Sequence, residues 1–203
     1  MSFLPNIIFF IVLTTSIGYF ISNLIKLRRN INLGIDLDID FSKDSKKRWA
    51  NMAKIALGQS KMVRRPVSGT LHVIVYVGFV IINIELLEIV IDGLFGTHRI
   101  FSFMGSFYGF LIGTFEILAI LVLISVSIFW IRRNIIKIKR FYEDSMKGWP
   151  KLDADLILYF EIILMSLFLL MNATDTGFQQ MNNGNIISGH IYPFFVGTLI
   201  YCP

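Results

Sequence analysis

Four long apolar runs limit what this chain can fold into more than any other feature of its sequence. The first run covers residues 3–25 and contains no charged side chain. The later runs cover residues 67–91, 107–131 and 155–172. A membrane-spanning helix needs about 20 mainly apolar residues, because the hydrocarbon core is about 30 Å thick. The sequence therefore predicts an all-α fold, a polytopic transmembrane helix bundle with four spans.

A fifth apolar stretch, residues 191–201, follows the polar stretch 172–185. It is shorter than the roughly 20 residues of a spanning helix. We therefore expect it to be an incomplete fifth span or an interfacial segment, and we expect the membrane region to be incomplete at its C-terminus.

The basic residues are distributed unevenly among the loops. Eleven lie between the first and second runs and seven between the third and fourth, which leaves only Arg99 between the second and third. Cytoplasmic loops carry an excess of Lys and Arg, so the N-terminus is predicted to face outward. The formal net charge of +5 then reflects topology, and no nucleic-acid partner is predicted. We expect a multi-pass membrane protein.

These features divide the chain into a first transmembrane span (1–25), a basic cytoplasmic loop (26–66) and a membrane region (67–203). Within the loop, residues 48–62 mix basic side chains with Trp49, Met52 and Ala56. This pattern is typical of an interfacial helix, although a solvated connector explains it equally well.

One pattern at the start of the second run indicates a cofactor. The string RRPVSGTLH contains Arg65, Pro66, Gly69 and His72. Gly69 removes side-chain bulk one turn before His72 and would let a flat macrocycle or a neighbouring helix approach. An imidazole inside an apolar span is a candidate axial ligand for a b-type haem. The alternative is a neutral histidine that hydrogen-bonds to another helix or to a lipid headgroup.

A six-coordinate haem needs a second ligand at the depth of the first. The predicted topology places His98 and His190 on the outer side and His72 near the inner side. Either the second ligand comes from another chain or from a C-terminal region that this sequence lacks, or the haem interpretation is wrong.

Embedded carboxyl groups are the other functional candidates. Glu85 and Glu88 share one face of the second span, and they are candidates for a quinol or proton site. Structural hydrogen bonding is an equally good explanation for this pair. For Glu116 and Glu161 we favour interhelical hydrogen bonds that fix packing. The single cysteine, Cys202, excludes an iron–sulfur cluster held by this chain alone.

With the strings GQSKMVRRPVSGTLH, NIELLEIVIDGLFGTHR, FWIRRNIIKIKRF and MKGWPK in view, the chain resembles the N-terminal membrane region of bacterial iron–sulfur oxidoreductases related to heterodisulfide reductase. The membrane part of that family is similar to the gamma subunit of respiratory nitrate reductase, a cytochrome b-like bundle. The resemblance covers about residues 21–175. Full-length members continue into a soluble region with cysteine-rich clusters, which this sequence does not contain.

The resemblance implies electron transport between quinone or quinol and an iron–sulfur module, with His72 as a ligand of haem iron and with Arg65 and Gly69 beside the haem. The partner would be an iron–sulfur protein or the missing C-terminal region. The chain would then be an oxidoreductase component rather than a self-contained enzyme. One alternative is a non-catalytic membrane anchor for a soluble partner. A weaker one is a proton-conducting membrane subunit.

Overall fold

A computed structural model describes residues 4–34, 44–58, 66–138, 148–180 and 184–200, and every regular element within them is helical. The predicted all-α fold is therefore confirmed. Four of the helices are long and apolar enough to cross a membrane, so the chain is a membrane protein. The helices are α1 (Leu4–Ile31), α2 (Ser45–Met52), α3 (Pro66–Phe95), α4 (Ser106–Asn134), α5 (Trp149–Thr174), α6 (Thr176–Gln180) and α7 (Ser188–Ile200).

The long helices extend beyond the apolar runs at several of their ends. The first helix continues six residues past residue 25 to Ile31, with Arg28 and Arg29 in its last turn. Cations near a helix C-terminus interact favourably with the helix dipole, so the polar flank can stay helical outside the hydrocarbon core. At the other end of the first basic loop, α3 begins at Pro66. Proline suits this position because the first N–H groups of a helix have no intrahelical partner.

The chain divides into two compact units. The first unit consists of Met1–Ser60 and Leu87–Ile100, and the second consists of Lys61–Leu86 and Phe101–Pro203. The long helix α3 belongs in part to each unit.

In the first unit, the start of α1 packs against the last turns of α3. The side-chain amide of Asn6 donates a hydrogen bond to the carbonyl of Gly93 at 2.9 Å. A Cβ atom on Gly93 would lie 2.6 Å from the ring of Phe9, so the absence of a side chain allows this approach. The rest of α1 is exposed, as is every described residue of α2 and of the π-helical turn Ala53–Leu57 that follows it.

In the second unit, α4 and α5 form an antiparallel pair. Arg133 near the end of α4 pairs with Asp155 near the start of α5. Glu116 of α4 contacts Asn172, which lies near the end of α5. The core between them is apolar, and Ile112 and Ala119 of α4 have no exposed surface. The other buried core residues of this unit are Ile82, Tyr108, Phe115, Val122, Val126, Met165, Phe168, Leu169 and Phe178.

The part of α3 in the second unit also runs antiparallel to α4. Its His72 ring contacts the Phe129 ring, and a Cβ atom on Gly78 would overlap the side chain of Val122. A glycine at this point lets the two backbones approach closely, which is how membrane helices gain packing where lipid offers no hydrophobic drive.

Hydroxyl groups within the long helices bond to their own backbones. Thr70, Thr114 and Ser166 each donate to the carbonyl four residues earlier, at 2.7 to 2.8 Å. In a bilayer such a hydroxyl has no water to bond, and the carbonyl of the preceding turn is the nearest acceptor. These residues are therefore compatible with membrane spans without any functional role.

Candidate functional site

The predicted haem ligand lies on an exposed part of the second unit. His72 is in the second turn of α3, and its side chain is exposed. Its ring centroid is 5.2 Å from that of Phe129, with the ring planes inclined at 51°. Gly69, one turn earlier, is buried, whereas Arg65 lies outside the described residues. The imidazole is thus flanked by one aromatic ring and is accessible to a molecule outside this chain.

A second histidine is not brought to His72 in the second unit. His190 is the third residue of α7, and the start of α7 contacts Glu116. Glu116 and Phe129 are thirteen residues apart on α4, which is about 20 Å along the helix axis. Two ligands of one iron must lie within a few ångströms of each other, so His72 and His190 cannot bind the same iron. His98 follows the end of α3, belongs to the first unit and is exposed.

His72 is thus an accessible imidazole with one aromatic neighbour, and it is the candidate haem ligand that the second unit offers. The chain contains three histidines in all. No second histidine lies beside His72 within the second unit, so a second ligand of the same iron would have to come from outside this unit or from a residue that is not histidine. Within the described ranges, no group of three or more His, Cys, Asp or Glu side chains is arranged to hold a metal ion.

The two predicted quinol-site residues are both buried. Glu85, in the second unit, is 2% exposed, and Glu88, in the first unit, is 3% exposed. Both therefore avoid lipid, as expected for carboxyl groups within a membrane helix. Asp92, in the last turns of α3, accepts hydrogen bonds from the N–H groups of Arg99 and Ile100, at 2.6 and 3.2 Å. Asp92 thus closes the turn after α3.

The most extensive buried polar cluster lies elsewhere, around Glu116 of α4. Glu116 has no exposed surface, and its Oε2 atom accepts hydrogen bonds from the N–H groups of Ile187 and Ser188, at 2.7 and 3.2 Å. Its Oε1 atom is 3.4 Å from the amide nitrogen of Asn172 on α5. The interhelical hydrogen bonding predicted for Glu116 is confirmed.

A second layer of side chains completes this cluster, which we call the Glu116 cluster and define as Glu116, Asn172, Gln179, Asn185 and Ser188. The amide of Gln179 donates to the carbonyl of Asn172 and to the hydroxyl of Ser188, both at 2.9 Å. The amide of Asn185 lies 3.2 Å from the side-chain oxygen of Gln179. The cluster therefore connects α4, α5, α6 and α7.

The start of α7 lies well inside the membrane region of α4. Glu116 is ten residues after the first residue of α4, about 15 Å along the axis. Backbone N–H groups at a helix start have no intrahelical acceptor, and lipid offers none. The carboxyl group of Glu116 supplies that acceptor.

Glycines allow the segment before α7 to approach α4 closely. Gly184 has φ of +93°, and a Cβ atom there would overlap the backbone carbonyl of Gly109. A Cβ atom on Gly113, one turn later, would lie 2.9 Å from the side chain of Ile186. The chain thus turns back against a groove of small residues on α4. The sequence signals for this approach are Gly109 and Gly113 at a four-residue spacing and the polar stretch after α5.

A charged pair links the opposite ends of α4 and α5. The Nε atom of Arg133 is 2.6 Å from Oδ1 of Asp155, and the two side chains are 7% and 16% exposed. A second guanidinium nitrogen of Arg133 donates to the carbonyl of Lys151 at 2.9 Å. Close by, the rings of Trp130 and Tyr159 lie 6.4 Å apart. This end of the helix pair is therefore fixed by both charge and aromatic packing.

Comparison with known proteins gave no protein-family model, curated protein or solved structure that matches this chain. The resemblance to the heterodisulfide-reductase-related family therefore stays a prediction that depends on its sequence strings.

Proposed function

We propose that this chain is the membrane component of an electron-transfer oxidoreductase, which passes electrons between quinone or quinol and an iron–sulfur module. The observation that supports it best is the accessible imidazole of His72, within a membrane helix and beside Phe129. An embedded ionisable side chain needs a functional reason or a partner. Here the imidazole would hold one axial position of a b-type haem, a group that carries one electron at a time when it is bound.

The neighbouring residues have positioning roles in this proposal. Gly69 and Arg65 would lie beside the haem, as the resemblance implies; Gly69 is buried one turn before His72, and Arg65 lies outside the described residues. Glu85 and Glu88 form the proposed quinol or proton site, because a carboxyl group inside the membrane can take up a proton that a quinol releases. The proposed location is a bacterial inner membrane, with the N-terminus outside and the basic loops inside.

A reduced-minus-oxidised absorbance spectrum of the detergent-purified chain tests this proposal. The chain is co-expressed with its genomic neighbours, so that a second ligand from another polypeptide is present. We expect a b-type signal that is lost in His72→Ala and retained in the matched variant His190→Ala. Both side chains are exposed, so neither substitution opens a cavity. A spectrum without b-type bands in the unmodified complex contradicts the proposal.

A second candidate function is a non-catalytic membrane anchor for a soluble partner. It is favoured because Glu116, Asp92 and Arg133 all form hydrogen bonds or ion pairs within the fold. These contacts explain the three side chains without a catalytic role. If the chain is only an anchor, deleting it releases the soluble partner from the membrane. The partner then stays attached to the His72→Ala variant, and its activity is unchanged. Quinol-dependent reduction that requires His72 excludes the anchor interpretation.

A further inference from the structure

A short helical segment in the first unit presents apolar side chains that are exposed in the described part of the chain. We call residues 45–57, which comprise α2 and the π-helical turn after it, the amphipathic segment. All of its residues are exposed. Trp49 is 66% exposed, Met52 46% and Leu57 62%. Large apolar side chains at this exposure favour contact with a surface outside the chain.

The charges of the segment have a single sign. It contains Lys46, Lys47, Arg48 and Lys54, and it contains no acidic residue. At 100° per residue along α2, Trp49 and Met52 lie on one face and Lys47 lies on the opposite face. The π-helical turn rotates less per residue, and it leaves Ala56 near the first face and Lys54 near the second. Lys46 and Arg48 lie at the sides between these faces. An apolar face bordered by cations is the pattern of a helix that lies in the interface of an anionic bilayer.

The chain connection keeps the segment near the membrane. The first helix carries Arg28 and Arg29 in its last turn, and the described turn after it ends at Gly34. Ten peptide steps lead from Gly34 to Asp44, which immediately precedes the segment. A chain of that length reaches about 35 Å at most. The segment is therefore held within reach of the bilayer surface at which α1 ends.

We propose that the amphipathic segment docks on anionic phospholipid headgroups of that bilayer surface. Trp49, Met52 and Ala56 enter the boundary between headgroups and acyl chains, and Lys46 at the side of the segment contacts lipid phosphates. Lys47 and Lys54 face water and add long-range attraction to the anionic surface. The surface has the charge that complements the segment, and it is the apolar phase nearest to it. Lipid docking goes beyond the proposed electron transfer, and it holds whether or not the chain binds haem.

The test uses the full chain reconstituted into vesicles, with one fluorescent label on each variant. Cys202→Ser removes the only native cysteine, and either Met52→Cys or Lys54→Cys provides the labelling position. These two positions lie on opposite faces of the segment, so each is the matched control of the other. The vesicles contain either phosphatidylcholine alone or a mixture with phosphatidylglycerol, and in both cases brominated acyl chains act as the quencher.

We expect the label at position 52 to be quenched in the phosphatidylglycerol vesicles, and the label at position 54 to remain in water. Each Lys→Gln change at Lys46 or Lys47 is expected to lower the ratio of docked to undocked segment about fivefold, from the electrostatic contribution of one lysine near an anionic surface. In phosphatidylcholine alone, quenching of the label at position 52 is expected to be weak.

Three results would overturn the proposal. Equal quenching of the label at position 52 in both vesicle types would show that anionic headgroups are not recognised. Equal quenching at positions 52 and 54 would show that no particular face meets the lipid. Quenching in neither vesicle type, with protection of position 52 only when a soluble protein is added, would assign the segment to a protein partner.

Discussion

The carboxyl group of Glu116 in α4 accepts a hydrogen bond from the backbone N–H of Ile187, which follows it by 71 residues, at 2.7 Å. This contact joins the middle of a membrane helix to the residue that immediately precedes α7. Since Glu116 has no exposed surface, water does not compete for its oxygens. Glu116 is therefore a buried acceptor that ties the start of α7 to α4.

Glu116→Gln is expected to weaken the attachment of α7. Glutamine replaces one acceptor oxygen with an NH₂ donor, so the side chain can no longer accept hydrogen bonds at both of its polar atoms. Losing a hydrogen bond to a buried group of this kind costs about 1–3 kcal/mol. We expect faster amide hydrogen exchange at Ile187 and Ser188 and a lower unfolding temperature in detergent. The matched control is Glu161→Gln on α5, outside the Glu116 cluster. Equal effects of the two substitutions would contradict this role of Glu116.

Gly184→Ala is expected to destabilise the turn before α7 more than alanine at two other glycines. Gly184 combines a positive φ with an overlap on the backbone of Gly109. Gly148 has a φ of +80° in open space, and Gly189 has neither constraint. The left-handed conformation alone costs a side-chain residue about 1–2 kcal/mol. We expect losses of unfolding free energy in the order Gly184, Gly148, Gly189, and a different order would show that the turn can shift away from α4.

The fold was predictable because lipid imposes a strong length rule on apolar runs, and the four runs correspond to the four long helices. The site was less predictable. The helical spacing of Glu85 and Glu88 predicted that they share one helix face, but it gave no information on which residues surround each of them. The contacts of Glu116 with Ile187 and Ser188 depend on how the chain returns after α5, and hydropathy does not record tertiary contacts between distant residues. The signal for Gln179 was only its place in a polar stretch.

Gly78→Ala is expected to separate α3 from α4 within the second unit. The added methyl group would overlap Val122, and overpacking of this kind costs about 1–3 kcal/mol. Val122→Ala removes the overlapping atoms, so the double variant should recover part of the loss. A double-mutant cycle on unfolding in detergent measures this coupling. If the two changes are additive, the close approach of these helices is not what makes glycine necessary at position 78.

Asp155 forms an ion pair with Arg133. Asp155→Asn is expected to lower the unfolding temperature more than the removal of both charges of this pair. The single change leaves the guanidinium, whose side chain is 7% exposed, without its anion. Uncompensated charges in poorly hydrated sites cost several kcal/mol, whereas replacing both partners with apolar residues is often nearly neutral. We therefore expect Arg133→Met/Asp155→Leu to unfold at a higher temperature than Asp155→Asn alone. Asp153→Asn is the control, because that carboxyl group lies exposed two residues earlier on α5. A double variant less stable than Asp155→Asn would mean that the pair itself, rather than compensation of a buried charge, holds the ends of α4 and α5 together.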